Sequence, residues 1–429
     1  MILLFLGCTP DEPTVAVTEV TLTPSEAIVT VATLEWTTDA AIRGRVRFGT
    51  PERELSSPLE DTAATTHRAV LVGVPAQSEV SWTIEDEAGL ALESGTWTTG
   101  ALPNELPSIE TNGGSLDQFV VTTFLGASSA AVVLSPEGRV VWYSPNESGL
   151  DAFRARPRRD GTGIVYVVGD VSGDPSDQSR LVSVSWDGTE VSELAAPYLA
   201  QDFVEREDGV FVALAAEVRP GTDGADVKGN ALVEIDADGT ATSLWDTWDC
   251  FDPDERPGND PTLGWTWTNA LDHDPITGEY IVGVRNFSAI VRVDPTDRSC
   301  GATLGGETSS YAIDGARFLH AHQFDWVDGR AVVFDNDGAG GNRSRAIEYA
   351  LDDDAGTATE VWSYMPDPAV FSFVLGDVAR SDDGSTIVTF SVAGQMDRVD
   401  ADGALLFRAN TPVGHVFGYS TLTTELAAR

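Results

Sequence analysis

Ala231–Trp245 reads ALVEIDADGTATSLW, and five other stretches read like it. They are Ala131–Tyr143 (AVVLSPEGRVVWY), Arg180–Leu194 (RLVSVSWDGTEVSEL), Ala289–Leu304 (AIVRVDPTDRSCGATL), Ala346–Trp362 (AIEYALDDDAGTATEVW) and Gln395–Phe407 (QMDRVDADGALLF). Each is an apolar strand, a turn rich in acidic residues or glycine, and a second strand. Successive starts lie 49, 51, 58, 57 and 49 residues apart. A period near fifty with several strands per repeat is the signature of a β-propeller, whose equivalent loops converge on a central channel.

Earlier strands precede each pair, at Gly163–Val171, Gly209–Val218, Glu279–Val284, Arg330–Asp335 and Ser385–Ala393. Counting seven residues back from Gly209, Gly329 and Gly384 reaches Asp202, His322 and Asp377, and nine back from Gly278 reaches Asn269. Polar residues at the inner start of successive repeats predict a polar axial funnel. The last strand, Val416–Leu422, is expected to close the ring by pairing within the first repeat. No helix-period segment of useful length occurs, so the fold class is all-β.

Upstream, Val15–Thr23, Ile28–Trp36, Gly44–Phe48, Arg68–Val72, Ser78–Glu85 and Gly95–Thr99 alternate apolar and polar residues with turns between them. Short strands at about ten-residue intervals suit an immunoglobulin-like sandwich. The phrases LEWTTD (34–39), RVRFG (45–49) and HRAVLVG (67–73) resemble the fibronectin type III family. Trp36 is expected in its core and His67 in a structural role. The division is then a tether at 1–14, a fibronectin III/immunoglobulin-like sandwich at 15–100, a Pro/Asn/Glu-rich linker at 101–109 and a six-bladed β-propeller at 110–429.

The 429 residues include 68 acidic and 26 basic side chains, a net charge of −42, and only Lys228 among the basic ones is a lysine. Such a field repels nucleic acid, so nucleic acid is excluded as a partner. No segment has the spaced Asp/Gly pattern of a calcium loop, and no cofactor motif is found. Met1–Gly7 (MILLFLG) followed by Cys8 resembles the end of a bacterial lipoprotein signal, which predicts lipidation at Cys8 and an envelope location, in the outer membrane or facing the periplasm. Cys250 and Cys300 remain, an even number in a compartment that permits oxidation, and they are expected to pair.

Histidine is scarce: His67, His273, His320, His322 and His415 are the whole set. Two of them share the phrase FLHAHQF (318–324); in an extended strand, positions two apart face one side, so both are expected to look into the channel. The phrase runs on to VFDNDG (333–338) and GNRSRA (341–346), placing Arg343 and Arg345 on a glycine-rich loop beside the histidines. Guanidinium offers forked donors to sulfate or phosphate, and imidazole serves as nucleophile or acid–base.

Over roughly residues 110–425 the chain resembles the arylsulfotransferase family of β-propeller enzymes. The resemblance rests on Thr268-Asn-Ala270 leading to VGVRNFSAI (282–290), on His322 followed by FDNDG (334–338), and on SRAIEY (344–349) with VWSY (361–364). It implies movement of a sulfuryl group from one phenol ester to another phenol through a sulfated histidine. The family's histidine before its Phe-Asp-Asn phrase falls on His322 and its loop arginine on Arg343. Two positions depart from the pattern: the family's His-x-Asn histidine falls on Trp267, and its later nucleophilic histidine falls within TFSVAGQMD (389–397), which has none.

The expectation is a channel binding a sulfate- or phosphate-bearing aromatic ligand, with His322, His320 and Arg343 catalytic and Asn269, Arg285, Asp335 and Asn336 binding the ligand. Two alternatives stay open. One is a non-catalytic propeller that binds a small anion, a glycan or an envelope protein; the other is a metal site built from His320, His322 and Asp335.

Overall fold

The computed structural model describes residues 15–170, 178–196, 198–221, 224, 226–253, 264–327, 329–381 and 383–426. Cys8 lies outside them. Among the described residues the chain is all-β: eight sheets, three single turns of 3-10 helix, and no helix long and apolar enough to cross a membrane.

Six of the sheets follow one another along residues 110–423, and each repeat quoted above supplies the outer hairpin of one of them. In the second, third and fourth sheets, four strands run in simple antiparallel order, drawn from 151–195, 199–246 and 268–305. A fifth strand, Ala312–Asp314, adds to the fifth sheet by parallel pairing with Thr357–Tyr364. Middle strands are apolar on both faces because a neighbouring sheet covers each: Gly163–Gly169 (GIVYVVG) is buried throughout. Outer strands such as Thr357–Tyr364 alternate instead, one face being wet. Full burial of each such Val, Ile or Phe side chain contributes about 1.5–3 kcal/mol.

The hairpin turns explain the Asp-Gly pairs. Gly239 has φ +85°, and a Cβ there would lie 2.1 Å from the Ala195 carbonyl oxygen, so neither the backbone angle nor the space admits a side chain.

Both ends of this region are tied in. Glu110–Gly113 pairs with the outer strand Leu405–Asn410 of the sixth sheet. In the first sheet, Phe119–Gly126 is paired on one side by Ala130–Leu134 and on the other by His415–Phe417 and Thr421–Thr423. The expected closing strand is therefore two short strands. They break at Gly418, where Thr123 Oγ1 would sit 1.9 Å from a Cβ.

Residues 17–98 form the remaining two sheets. Val17–Pro24, Ala32–Ile42 and Ala64–Leu71 make one, and Arg53–Ser56, Arg45–Thr50, Glu79–Glu85 and Ala91–Thr98 make the other. Arg53–Ser56 (RELS) is not foreseen in the sequence, because a short edge strand carries no alternation to read. Leu34, Trp36, Val46, Val80 and Ile84 fill the space between these sheets. His67 is buried there, stacked on Trp36 with ring centroids 4.9 Å apart and bonded to Glu60 through Nδ1 at 2.7 Å.

This pair of sheets packs directly on the six. Ile28, Val31, Val70 and Val72 share an apolar cluster with Val133, Val141 and Trp142. Thr30 Oγ1 donates to the Val141 carbonyl at 2.7 Å, Arg53 pairs with Glu137 at 2.7 Å, and Arg68 pairs with Asp187.

Candidate functional site

The centre of the six sheets is polar, as the inner-strand residues predict. Asp202, Asn269, His322 and Asp377 are all buried. Their organiser is Arg154, which the sequence reading passes over although the same count of seven back from Gly161 lands on it. Arg154 donates to Asp202 Oδ1 at 3.1 Å, Asp377 Oδ2 at 3.1 Å, Gln323 Oε1 at 2.6 Å and the Ser420 carbonyl at 2.7 Å. Gln323 Nε2 donates in turn to Asp202 Oδ2 at 2.9 Å and the Asn269 carbonyl at 3.0 Å. One hydrogen-bonded hub thus joins strands of four sheets to Gln323 and Ser420, which adjoin strands of the fifth and first. Burial opposes the charge on Arg154, but the Asp202 and Asp377 carboxylates more than restore it, and its proton is held above the usual guanidinium range.

His322 lies beside this hub. The segment 316–323 contains no strand; the strand begins at Phe324, and His320 has φ +53°. The two-residue alternation expected of an extended strand therefore does not hold here. His320 lies half-buried at a separate slot with Phe287 and Phe318, while His322 is fully buried.

Local chemistry fixes the protonation of His322. Asn336 Nδ2 donates to the carbonyls of Ser372 at 2.6 Å and Leu375 at 2.8 Å, so its Oδ1 is left to face the ring. His322 Nδ1 lies 2.8 Å from that oxygen and must carry the proton. Burial, and then the nearby Arg285 guanidinium, push the imidazolium down to about 3 against the opposing Asn336 contact. The ring is neutral at ordinary pH, and Nε2 is a bare lone pair. That nitrogen is buried with no hydrogen-bond partner.

Trp267, with φ +46°, presents its ring edge-on to His322 at 6.3 Å. Arg285 covers the indole with its Cζ 4.2 Å from a ring centroid, and its Nη2 donates to the Phe373 carbonyl at 3.2 Å. Cation–π contact helps hold the guanidinium here. Asn269 donates to the Ala321 carbonyl at 2.9 Å, while its buried Oδ1 has no partner. The site therefore combines one neutral imidazole lone pair, one unused amide oxygen and one cation.

Arg343 is not part of it. Its side chain is exposed and folds back on its own loop, donating to the carbonyls of Gly340 at 3.0 Å and Ala339 at 3.1 Å. Neither the expected contact with a histidine nor burial against Asp335 or Asp337 occurs. Arg345 takes the bracing place, bonded to Asp335 Oδ2 at 2.7 Å. Asp335 Oδ1 accepts from the backbone of Leu319 at 3.0 Å and Gly338 at 2.6 Å. This carboxylate is thus consumed in shaping the loop and is not free to bind a ligand.

The metal reading fits poorly: Asn336 occupies His322 Nδ1 and Arg345 occupies Asp335, and no cluster of three His, Cys, Asp or Glu with metal-site geometry occurs among the described residues. Within 389–397, Ser391 is buried with an unpartnered hydroxyl. His415 contacts Ser128 Oγ at 3.1 Å, and His273 is half-buried against Tyr280, ring centroids 4.8 Å apart. Cys250 and Cys300 form a disulfide with Cα atoms 6.1 Å apart.

Comparison with known folds gives distant likenesses. A protein of unknown function from Bacteroides caccae is 12% identical over 71% of this chain and 100% of its own, with a TM-score of 0.43. The β-propeller domain of Cps50 (Swd1) from Myceliophteria thermophila is 10% identical over 69% of this chain and 84% of its own, with a TM-score of 0.40. No curated protein matches the sequence. A family profile does: that of the arylsulfotransferases (ASST) matches residues 115–309 and 314–408, a span that takes in the Arg154 hub, Trp267, Arg285 and the His322–Asn336 pair. On that match the chain belongs to the arylsulfotransferase family.

Proposed function

We propose that the six sheets form a six-bladed propeller whose channel binds an aryl sulfate and passes its sulfuryl group to a phenol through His322. The observation that carries this reading is the buried, uncharged imidazole whose Nε2 lone pair has no hydrogen-bond partner, in a site that also holds the Arg285 guanidinium. A nucleophile needs that lone pair, and most histidines surrender it to a proton or a hydrogen bond. Nε2 attacks sulfur, the S–N bond forms as the S–O bond to the aryl group breaks, and the aryloxide leaves with the electron pair. A phenol oxygen then takes the sulfuryl group, its proton passing to a base, and the S–N pair returns to Nε2. Arg285 rests on Trp267 over this site, and a sulfate that draws the guanidinium off the indole gains both the charge and the path to Nε2.

The test is transfer from 4-nitrophenyl sulfate to a phenol acceptor by the purified protein, abolished in a folded His322→Ala variant. A second reading, a non-catalytic channel holding an anionic aromatic ligand, is favoured by Trp267, which stands where the family's histidine is expected. Binding of the aryl sulfate with no transfer above buffer selects it.

The sandwich at 15–100 we read as fibronectin type III-like, and Cys8 as the site of a lipid anchor in a bacterial envelope. Metabolic labelling with palmitate, lost in Cys8→Ser, tests the anchor.

A further inference from the structure

Beside the channel, between the fourth and fifth sheets, is a slot of about 320 Å3 that nothing above uses. Phe287, Phe318, Leu319, Gly305, Gly306 and His320 line it, together with the charged Glu307 and Arg317. Gly305 is required there: a Cβ would lie 2.4 Å from Phe318 Cζ and 2.5 Å from the Ser288 carbonyl oxygen. Without a side chain at this position, the buried Phe318 ring lies directly on the backbone. Leu319 is 44% exposed, an uncommon state for a leucine beside two phenyl rings.

His320 is held by its backbone, whose N–H donates to Ser288 Oγ at 3.0 Å, and its ring makes no hydrogen bond among the described residues. Burial, then Arg285, lower its proton affinity, with Asp337 and Asp335 opposing. The ring is therefore a neutral acceptor lining the slot.

We propose that this slot is an off-axis subsite for a planar aromatic alcohol, and that His320 takes the proton of its hydroxyl. The half-buried Phe287 ring and the exposed Leu319 offer apolar contact to a flat ring, and the imidazole supplies the acceptor that a hydroxyl needs on leaving water. The base role rests on the transfer reading above: the acceptor O–H gives its proton to His320, its oxygen bonds to sulfur, and the S–N bond to His322 breaks with its pair returning to Nε2. Ring binding in the slot stands independently of that chemistry.

The experiment titrates 1-naphthol, followed by its own fluorescence, against the whole protein and three variants, alongside acceptor-dependent transfer. Leu319→Gln, at an exposed position that does not challenge folding, weakens naphthol binding roughly tenfold. His320→Asn tolerates the left-handed backbone; it leaves naphthol affinity within a few fold but lowers acceptor-dependent kcat by roughly 10²-fold. His322→Gln stops transfer and binds naphthol as the native chain does. If Leu319→Gln leaves the affinity unchanged, or naphthol does not bind, the subsite is overturned. If His320→Asn transfers at the native rate, its base role is overturned. If no protein transfers yet Leu319→Gln still weakens binding, the subsite stands and the transfer reading falls.

Discussion

Asn336 decides what His322 is. With both amide hydrogens committed to main-chain carbonyls, it presents only an acceptor, and the imidazole must answer with Nδ1–H. The consequence is measurable as stability against pH. Unfolded, His322 protonates near the ordinary imidazole value of 6.5; folded, it resists until about 3. Between those values the unfolded chain binds one more proton, so stability from this site is complete above pH 6.5 and falls as pH drops, by about 1.4 kcal/mol per unit. Urea midpoints from pH 4 to 7 should therefore fall less steeply in His322→Gln than in the native chain. The identity of His322 is legible in the sequence, from its spacing to Gly329 and its place before FDNDG. The position of Arg343 is not. Whether a loop arginine reaches inward or caps its own carbonyls depends on the turn at 337–343, and local glycines permit either. The role of Trp267 is likewise hidden, since a tryptophan in a strand pattern reads as core until Arg285 is found on its face.

Strands and turns carry the legible part of the fold. Each outer hairpin pairs a period-two strand with an acidic or glycine turn, and both signals are local, so all six are readable without knowing their neighbours. Inner strands carry buried polar or charged residues, as Asp377–Arg380 does, and are found only by counting from the turn. The failed expectation at 318–324 has the same origin: polar residues meant for the axis interrupt the pattern that would mark a strand. At this scale the disulfide joins Cys250, just beyond the third sheet, to Cys300 in the outer strand of the fourth, across a sequence separation of 50. Closing a span of that length stabilises by about 2–4 kcal/mol. The double variant Cys250→Ser/Cys300→Ser should lose that much in denaturant titrations, and added reductant should destabilise only the native chain.

For the molecule as a whole, Arg154 is the point where the inner strands meet, and removing its charge strands the buried Asp377 carboxylate and leaves Asp202 with only the Arg156 guanidinium, at 3.3 Å. Arg154→Met should cost about 3–5 kcal/mol. Restoring neutrality with Asp202→Asn and Asp377→Asn should recover part of it, whereas a full loss in the triple variant would show that geometry rather than charge is at stake. The net charge of −42 acts over the same scale. Surface pairs such as Arg53–Glu137 are weakened by salt, each by less than about 1 kcal/mol, while the repulsion among 68 acidic residues is screened everywhere at once. Repulsion should win, so Tm rises as sodium chloride goes from about 0.05 to 0.5 M; a falling Tm would mean that the ion pairs dominate.

The first sheet waits for its partner until residues 415–423 exist. During synthesis, Phe119–Gly126 keeps a bare hydrogen-bonding edge on an almost wholly apolar strand while the intervening chain is made. A ribosome that stalls late, or a protease that trims these last residues, leaves that edge to recruit whatever strand is nearest, including the same strand of another copy. Clipping near the carboxyl end should therefore produce aggregates rather than a slightly weaker monomer.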